Sequence, residues 1–130
     1  MPTIHGQYIV CDKPRPSIRV VRFICPEYRN EIYDCEPITD SSLFKDIATT
    51  ALAGLAERET VVVNCGLIEW FPSRYFSLFL TLKKFVTEKK ARLVLCCLTP
   101  VVKEAFDLLR GWDQFEVEDS ENQAVKLAAK

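Results

Sequence analysis

A single histidine, His5, stands in the whole chain of 130 residues. A multi-histidine metal centre therefore has no basis here. A serine hydrolase would set its nucleophile in a Gly-x-Ser-x-Gly turn and supply a histidine base; Ser73 is flanked instead by Phe71-Pro72 and Arg74-Tyr75. Glycine is scarce, four in all, and no Gly-x-x-x-x-Gly-Lys-(Ser/Thr) loop is present to cradle phosphates. Neither sign of charge dominates: the net charge is −1, so no basic field exists to hold nucleic acid. No apolar run reaches the roughly 18 residues of a membrane span. The opening Met1-Pro-Thr-Ile-His-Gly-Gln lacks the charged and apolar regions of a signal peptide, so none is expected. The six cysteines include no Cys-x-x-Cys pair.

Cys65, Cys96 and Cys97 sit in apolar, strand-like runs, where a thiol behaves as a small hydrophobe. Adjacent Cys96 and Cys97 are expected to point to opposite sheet faces. This usage fits a reducing, cytoplasmic compartment with buried thiols. Cys11, Cys25 and Cys35 have no such clear setting. Apolar residues make up 48% and charged residues 27%, the balance of a folded globule rather than a disordered chain. The length suits one domain, residues 1–130, around one core. No cofactor is implied.

The pattern along the chain predicts an α/β domain. Tyr8–Cys11 and Ile18–Cys25 read as strands joined through Lys13-Pro-Arg-Pro16, an antiparallel pair. Residues 26–37 read as a long loop of unassigned role. Asp40-Ser-Ser offers caps for a helix with Leu43, Ile47, Ala51, Gly54 and Leu55 on one face, running to about Glu57. Thr60–Cys65 is a continuous β-branched run, the mark of a strand buried on both faces. A helix from Ser73 to about Lys89 carries Tyr75, Leu78, Phe79, Leu82, Phe85 and Val86 as its core stripe, with Lys83, Lys84 and Lys89 on the solvated side. Ala91–Leu98 is the next strand. Thr99 and Pro100 open a helix with Val102, Ala105, Phe106 and Leu109 inward, and Gly111 is expected to close it. Trp112 follows as a lid on the core edge. Gln114–Val117 forms a short strand, and Asp119 or Ser120 caps a last helix. Strands alternating with helices after the opening pair imply a mostly parallel central sheet with an antiparallel N-terminal strand, covered by about four helices.

The most informative stretch joins the β-branched run to the helix at Ser73. The loop Trp70-Phe71-Pro72-Ser73-Arg74-Tyr75 resembles the strand–loop–serine–helix core of STAS domains (sulphate transporter and anti-sigma factor antagonist). Ala91-Arg-Leu-Val-Leu-Cys-Cys-Leu-Thr-Pro-Val-Val-Lys-Glu-Ala-Phe106 and Asp113–Ala124 are similar to the later strands and helices of that family, so the likeness spans roughly residues 18–127. The family loop runs apolar-apolar-Asp-Ser-(Ser/Ala/Thr)-Gly; here Pro72 replaces the aspartate, Arg74 the small residue and Tyr75 the glycine. The resemblance implies a non-enzymatic regulator that acts through protein contacts. Ser73 occupies the phosphoacceptor position, and the implied partner is an anti-sigma-type kinase or another signalling protein. Trp70, Arg74, Tyr75 and Ser77 are the implied partner-binding residues.

The residues also admit plainer roles. A serine at a helix start caps it, a contribution of about 1 kcal/mol. A phosphate there would add about −1.5 to −2 charges, which a helix N-terminus tolerates, so it would alter the surface a partner reads rather than melt the helix. Phe71 and Phe76 are expected in the core, whereas Trp70 and Tyr75 are expected partly exposed, where aromatics beside Arg74 have the composition of an interface hot spot. The acidic stretch Glu116–Glu121 reads as a solvated strand end and helix start. Three readings stay open: a phosphorylation-controlled regulator, a constitutive interaction or scaffold module, and a small-molecule or nucleotide binder at the strand-to-helix loop. A homodimer is open as well.

Overall fold

The computed structural model describes residues 4–5, 9–23, 47, 51–66, 68, 71 and 73–129. Six strands form one sheet: β1 (Ile4–His5), β2 (Ile9–Arg15), β3 (Ile18–Phe23), β4 (Thr60–Asn64), β5 (Arg92–Cys96) and β6 (Glu116–Glu118). Their spatial order is their chain order. β1, β2 and β3 pair antiparallel. β3–β4, β4–β5 and β5–β6 pair parallel, which bears out the mostly parallel sheet with an antiparallel start. Pro14 lies inside β2, where the register with β3 shifts between Asp12 and Arg15; a proline, having no N–H to give, suits such a break in the ladder.

The helices with described bounds are α1 (Ser73–Glu88), α2 (Pro100–Leu109), α3 (Gly111–Gln114) and α4 (Glu121–Ala128). Ile47 is helical too, but residues 51–54 form turns, so the helix expected to reach Glu57 stops short. Arg19 accounts for much of that turn. Its buried guanidinium donates to the carbonyls of Ala51 (2.9 Å) and Ala53 (2.7 Å) and grips the Glu59 carboxylate through Nε (2.9 Å) and Nη2 (3.2 Å). A charge this deep in the protein is tolerable because its donors are matched. The expected loop at residues 26–37, Cys25 and Cys35 lie outside the described residues.

Strand side chains alternate between two layers. One side holds Ile9, Cys11, Val21, Phe23, Val61, Val63, Leu93 and Leu95 against α1, α2, Ile47, Ala51, Leu52 and Leu55. The other holds Ile18, Val20, Val62, Val94 and Cys96 against Ala124 of α4. β4 thus contributes to both layers, as its unbroken valine run predicts. The core stripe expected on α1 is buried at Tyr75, Leu78, Phe79, Leu82 and Val86 and half-buried at Phe85.

α1 ends near Lys89, as expected, but the expected end of α2 turns out differently. α1 closes on Lys90, left-handed at φ 58°, with Ala91 N–H donating to the Val86 carbonyl (3.0 Å) and Lys90 N–H to that of Thr87 (2.9 Å). That is the Schellman pattern, made here without glycine. α2 closes on Arg110, also left-handed at φ 58°, not on Gly111. Gly111 instead begins α3 under the Phe106 ring, where an added Cβ would come within 2.5 Å of Cγ. The glycine answers close packing, not backbone sign. Leu109, expected inward, is 39% exposed. Trp112 does cover the core edge: its ring meets Phe106 edge-on at 5.4 Å, and its Nε1 donates to Asp107 (2.7 Å).

Candidate functional site

The parallel strands β4 and β5 end side by side, and each is followed by a loop that opens a helix. At β4 the loop leads to Ser73, the first residue of α1; at β5 it leads through Thr99 to Pro100, the first residue of α2. Crevices at the carboxyl ends of parallel strands are where α/β sheets commonly bind.

The β4 loop is tied down at several points. Gly66 N–H donates to Asn64 Oδ1 (2.8 Å), Ile68 N–H to the Cys65 carbonyl (3.1 Å), and Cys65 N–H to the Cys96 carbonyl (2.9 Å). The Thr99 hydroxyl was expected to cap α2, but it donates to the Ile68 carbonyl at 2.6 Å and makes no cap. It therefore links the two loops. Phe71 continues the anchoring through edge contacts with Tyr75 (6.3 Å) and Phe79 (5.2 Å).

Each residue expected at the site can be placed. Ser73 and Arg74 open α1, with only their backbone described. Trp70 and Pro72 lie outside the described residues. Ser77 is exposed and begins an outward stripe with Thr81, Lys84 and Glu88 at helical spacing. Tyr75 corrects its expectation of partial exposure: it is 5% exposed, packed beside Phe71. The position that in STAS domains is glycine is here a buried ring that pins the first turn of α1. Lys83, expected on the solvated side, folds back to donate to the Gln114 carbonyl and lies over the Phe115 ring.

On the α4 side, the same strand ends carry a polar network that the acidic stretch did not suggest. Glu121 accepts from Arg22 Nε (2.9 Å) and Nη2 (2.7 Å) and from Asn64 Nδ2 (3.0 Å), and Arg22 also pairs with Asp12. Hydrogen bonding from Arg22 holds the Glu121 carboxyl below the ordinary glutamate range, against partial burial, with Asn64 assisting. Asn64 thus bridges the network to the β4 loop through Gly66. The network borders an open groove of about 490 Å³ between β2 and α4, lined also by Lys13, Asn122 and Lys126.

Thiols complete the setting. Burial pushes the Cys65 and Cys96 thiols up, which keeps them protonated and poor as ligands or nucleophiles. Cys97 was expected on the opposite face from Cys96. It is left-handed at φ 60°, and both residues pack with the α4-side cluster. A non-glycine residue in that region carries a strain of about 1–2 kcal/mol. Among the described residues no group of three or more His, Cys, Asp or Glu side chains could hold a metal ion. No described helix is long and apolar enough to cross a membrane.

Neither a family model nor a curated protein matches the sequence. Among solved structures, the chain is similar to an anti-sigma-factor antagonist (STAS) domain protein from Planctomyces limnophilus, at a TM-score of 0.67 and 14% identity, over 94% of this chain and 98% of that one. The chain has the fold of a STAS domain.

Proposed function

We propose that this protein is a non-enzymatic regulatory module that docks a signalling protein, in the cytoplasm, through the β4 loop and the exposed stripe of α1. The observation that carries the reading is the position of Ser73 as the first residue of α1, at the end of the loop that follows parallel strand β4, inside a STAS fold. The resemblance makes Ser73 the phosphoacceptor of an anti-sigma-type kinase. A phosphate there would meet the positive end of a 16-residue helix. Trp70, Arg74 and Ser77 would flank it, while Tyr75 supports the loop from inside.

The test is incubation with an anti-sigma-type serine kinase encoded beside this gene, with ATP, followed by mass spectrometry and binding measurements. A single phosphate on Ser73, with Ser73→Asp weakening partner binding at least tenfold, supports the reading. An unmodified protein whose Ser73→Asp variant binds as tightly as wild type removes the switch.

A constitutive docking module is the second reading. The specific observation behind it is the fastened loop: Thr99 to Ile68, Asn64 to Gly66, and Tyr75 buried against Phe71. A loop held this way presents one surface whether or not Ser73 is modified. Equal binding by wild type, Ser73→Ala and Ser73→Asp would select it.

A further inference from the structure

We propose that α4 regulates the β4 loop: hydrogen bonds running from Glu121 through Asn64 to Gly66 make the order of the loop depend on the seat of α4. On the α4 face of the sheet the lower rows are apolar, with Val20, Val62 and Val94 in register. The row at the carboxyl ends of the strands breaks that pattern, for Arg22, Asn64 and Cys96 stand side by side there. Asn64 is half-buried at the end of a strand that is otherwise buried. A valine would extend the apolar layer at this position, so the amide is explained by what it bonds.

Both ends of the amide are matched. Nδ2 donates to Glu121 Oε1 (3.0 Å), and Oδ1 accepts from Gly66 N–H (2.8 Å). Only one orientation serves: turned over, the oxygen would face the carboxylate and the NH2 group would face the backbone N–H. Gly66 approaches so closely that an added Cβ would lie 2.9 Å from Asn64 Oδ1. At the far end, Glu121 is the first residue of α4 and accepts from Arg22 Nε and Nη2. Lifting α4 withdraws the acceptor that orients the Asn64 amide, and Gly66 N–H then loses its aligned partner. Asn64 is thus a positioning residue for the loop. The open groove between β2 and α4, with exposed Asn122 and Lys126, offers a binding protein a hold on the helix away from the loop. The consequence for docking rests on the docking reading; the coupling itself needs no partner.

The experiment is a double-mutant cycle in the full chain, read by NMR as exchange of the Gly66 amide with water. Glu121→Ala should speed that exchange about tenfold or more, while the Leu82 amide in α1 stays within about twofold of wild type. In an Asn64→Ala chain, where Gly66 has already lost its acceptor, Glu121→Ala should add less than about twofold. Asn64→Asp keeps an acceptor for Gly66 and drops only the donor to Glu121, so it should uncouple the two ends as well. It also keeps the test decisive if the alanine variant fails to fold. Ser120→Ala, which loosens α4 through its cap, should speed Gly66 exchange in the wild-type chain and not in Asn64→Ala. Equal acceleration in both backgrounds, or a Gly66 amide that ignores both changes in α4, overturns the proposal. A binding arm separates it from the docking reading: the affinity of the anti-sigma-type kinase should fall about threefold or more with Glu121→Ala. Unchanged affinity beside an intact cycle would remove the β4 loop as the docking face and leave its control by α4 standing.

Discussion

The sheet face under α1 and α2 buries Phe71, Phe76, Phe79, Phe106 and Phe115 in one cluster of edge-on and stacked rings, whereas the face under α4 buries Ile18, Val20, Val62, Val94, Cys96 and Ala124 beside the charges of Arg22 and Glu121. The first face is thick and mostly apolar, with the buried Arg19–Glu59 pair beside it; the second is a narrow apolar strip with a polar margin. Burial scales with apolar area, so the aromatic face should set global stability. The α4 face should set local stability, since few apolar contacts and partly exposed ion pairs open cheaply. The candidate docking loop touches both: Phe71 and Thr99 fasten it to the thick side, and Asn64 fastens it to the thin one.

The harshest trial of this contrast is Phe106→Ala. Phe106 is fully buried and meets Phe71, Phe76, Trp112 and Phe115, so its loss leaves a large cavity among rings. Urea unfolding should show a loss of about 3–5 kcal/mol. A loss under about 1 kcal/mol would mean that the aromatic face does not dominate. Gly111→Ala tests the same face from outside: the new methyl would meet the Phe106 ring at 2.5 Å, and the ring or α3 must shift. Overpacking of this kind costs about 1–3 kcal/mol, and Phe106→Leu in the same chain should recover part of it.

The thick face was the more legible one in the sequence. Tyr75 through Val86 recur at helical spacing, and Val61 to Val63 form an unbroken β-branched run, so periodicity alone exposes both. The misreadings share a cause: one residue type serves two physical needs. Gly111 signals either a left-handed cap or close packing, and only the position of Phe106 decides. Thr99 signals a cap, but its hydroxyl finds the Ile68 carbonyl from a loop distant in sequence. Glu121 looks solvated until the sheet brings Arg22 across 99 positions to meet it. At the candidate site, the strand-to-helix placement of Ser73 could be read from local pattern. Tyr75 reads both ways, inward on the helix stripe and partly exposed beside Arg74, and only the packing of the first turn of α1 against Phe71 decides between them.

A milder test concerns α4 itself. Ser120 caps it, accepting from Gln123 N–H at 3.1 Å. Ser120→Ala should cost about 1 kcal/mol. If α4 opens as a local unit, hydrogen exchange should quicken across residues 121–128 by more than it does in α1. Equal acceleration everywhere would show that the two faces unfold together and that the distinction drawn between them has no dynamic content.

The smallest and most diagnostic effect is expected from Glu121→Gln. Glu121 is held deprotonated by Arg22, then by Asn64, so its folded pKa lies below its unfolded one. A depressed carboxylate contributes its stability fully above the ordinary glutamate range and loses it as pH falls through the folded value. Wild type should therefore exceed the variant at neutral pH and converge on it in acid. The gap at neutral pH should stay under about 1 kcal/mol, because the Arg22 side chain is 38% exposed and solvent screens the pair. One molar salt should narrow it further. Phe106→Ala, whose loss is apolar, should keep its deficit across the same pH and salt range. A glutamine gap that ignores both pH and salt would assign α4 docking to Ala124 and its apolar neighbours, and the polar margin would then shape the loop at Asn64 without holding the helix.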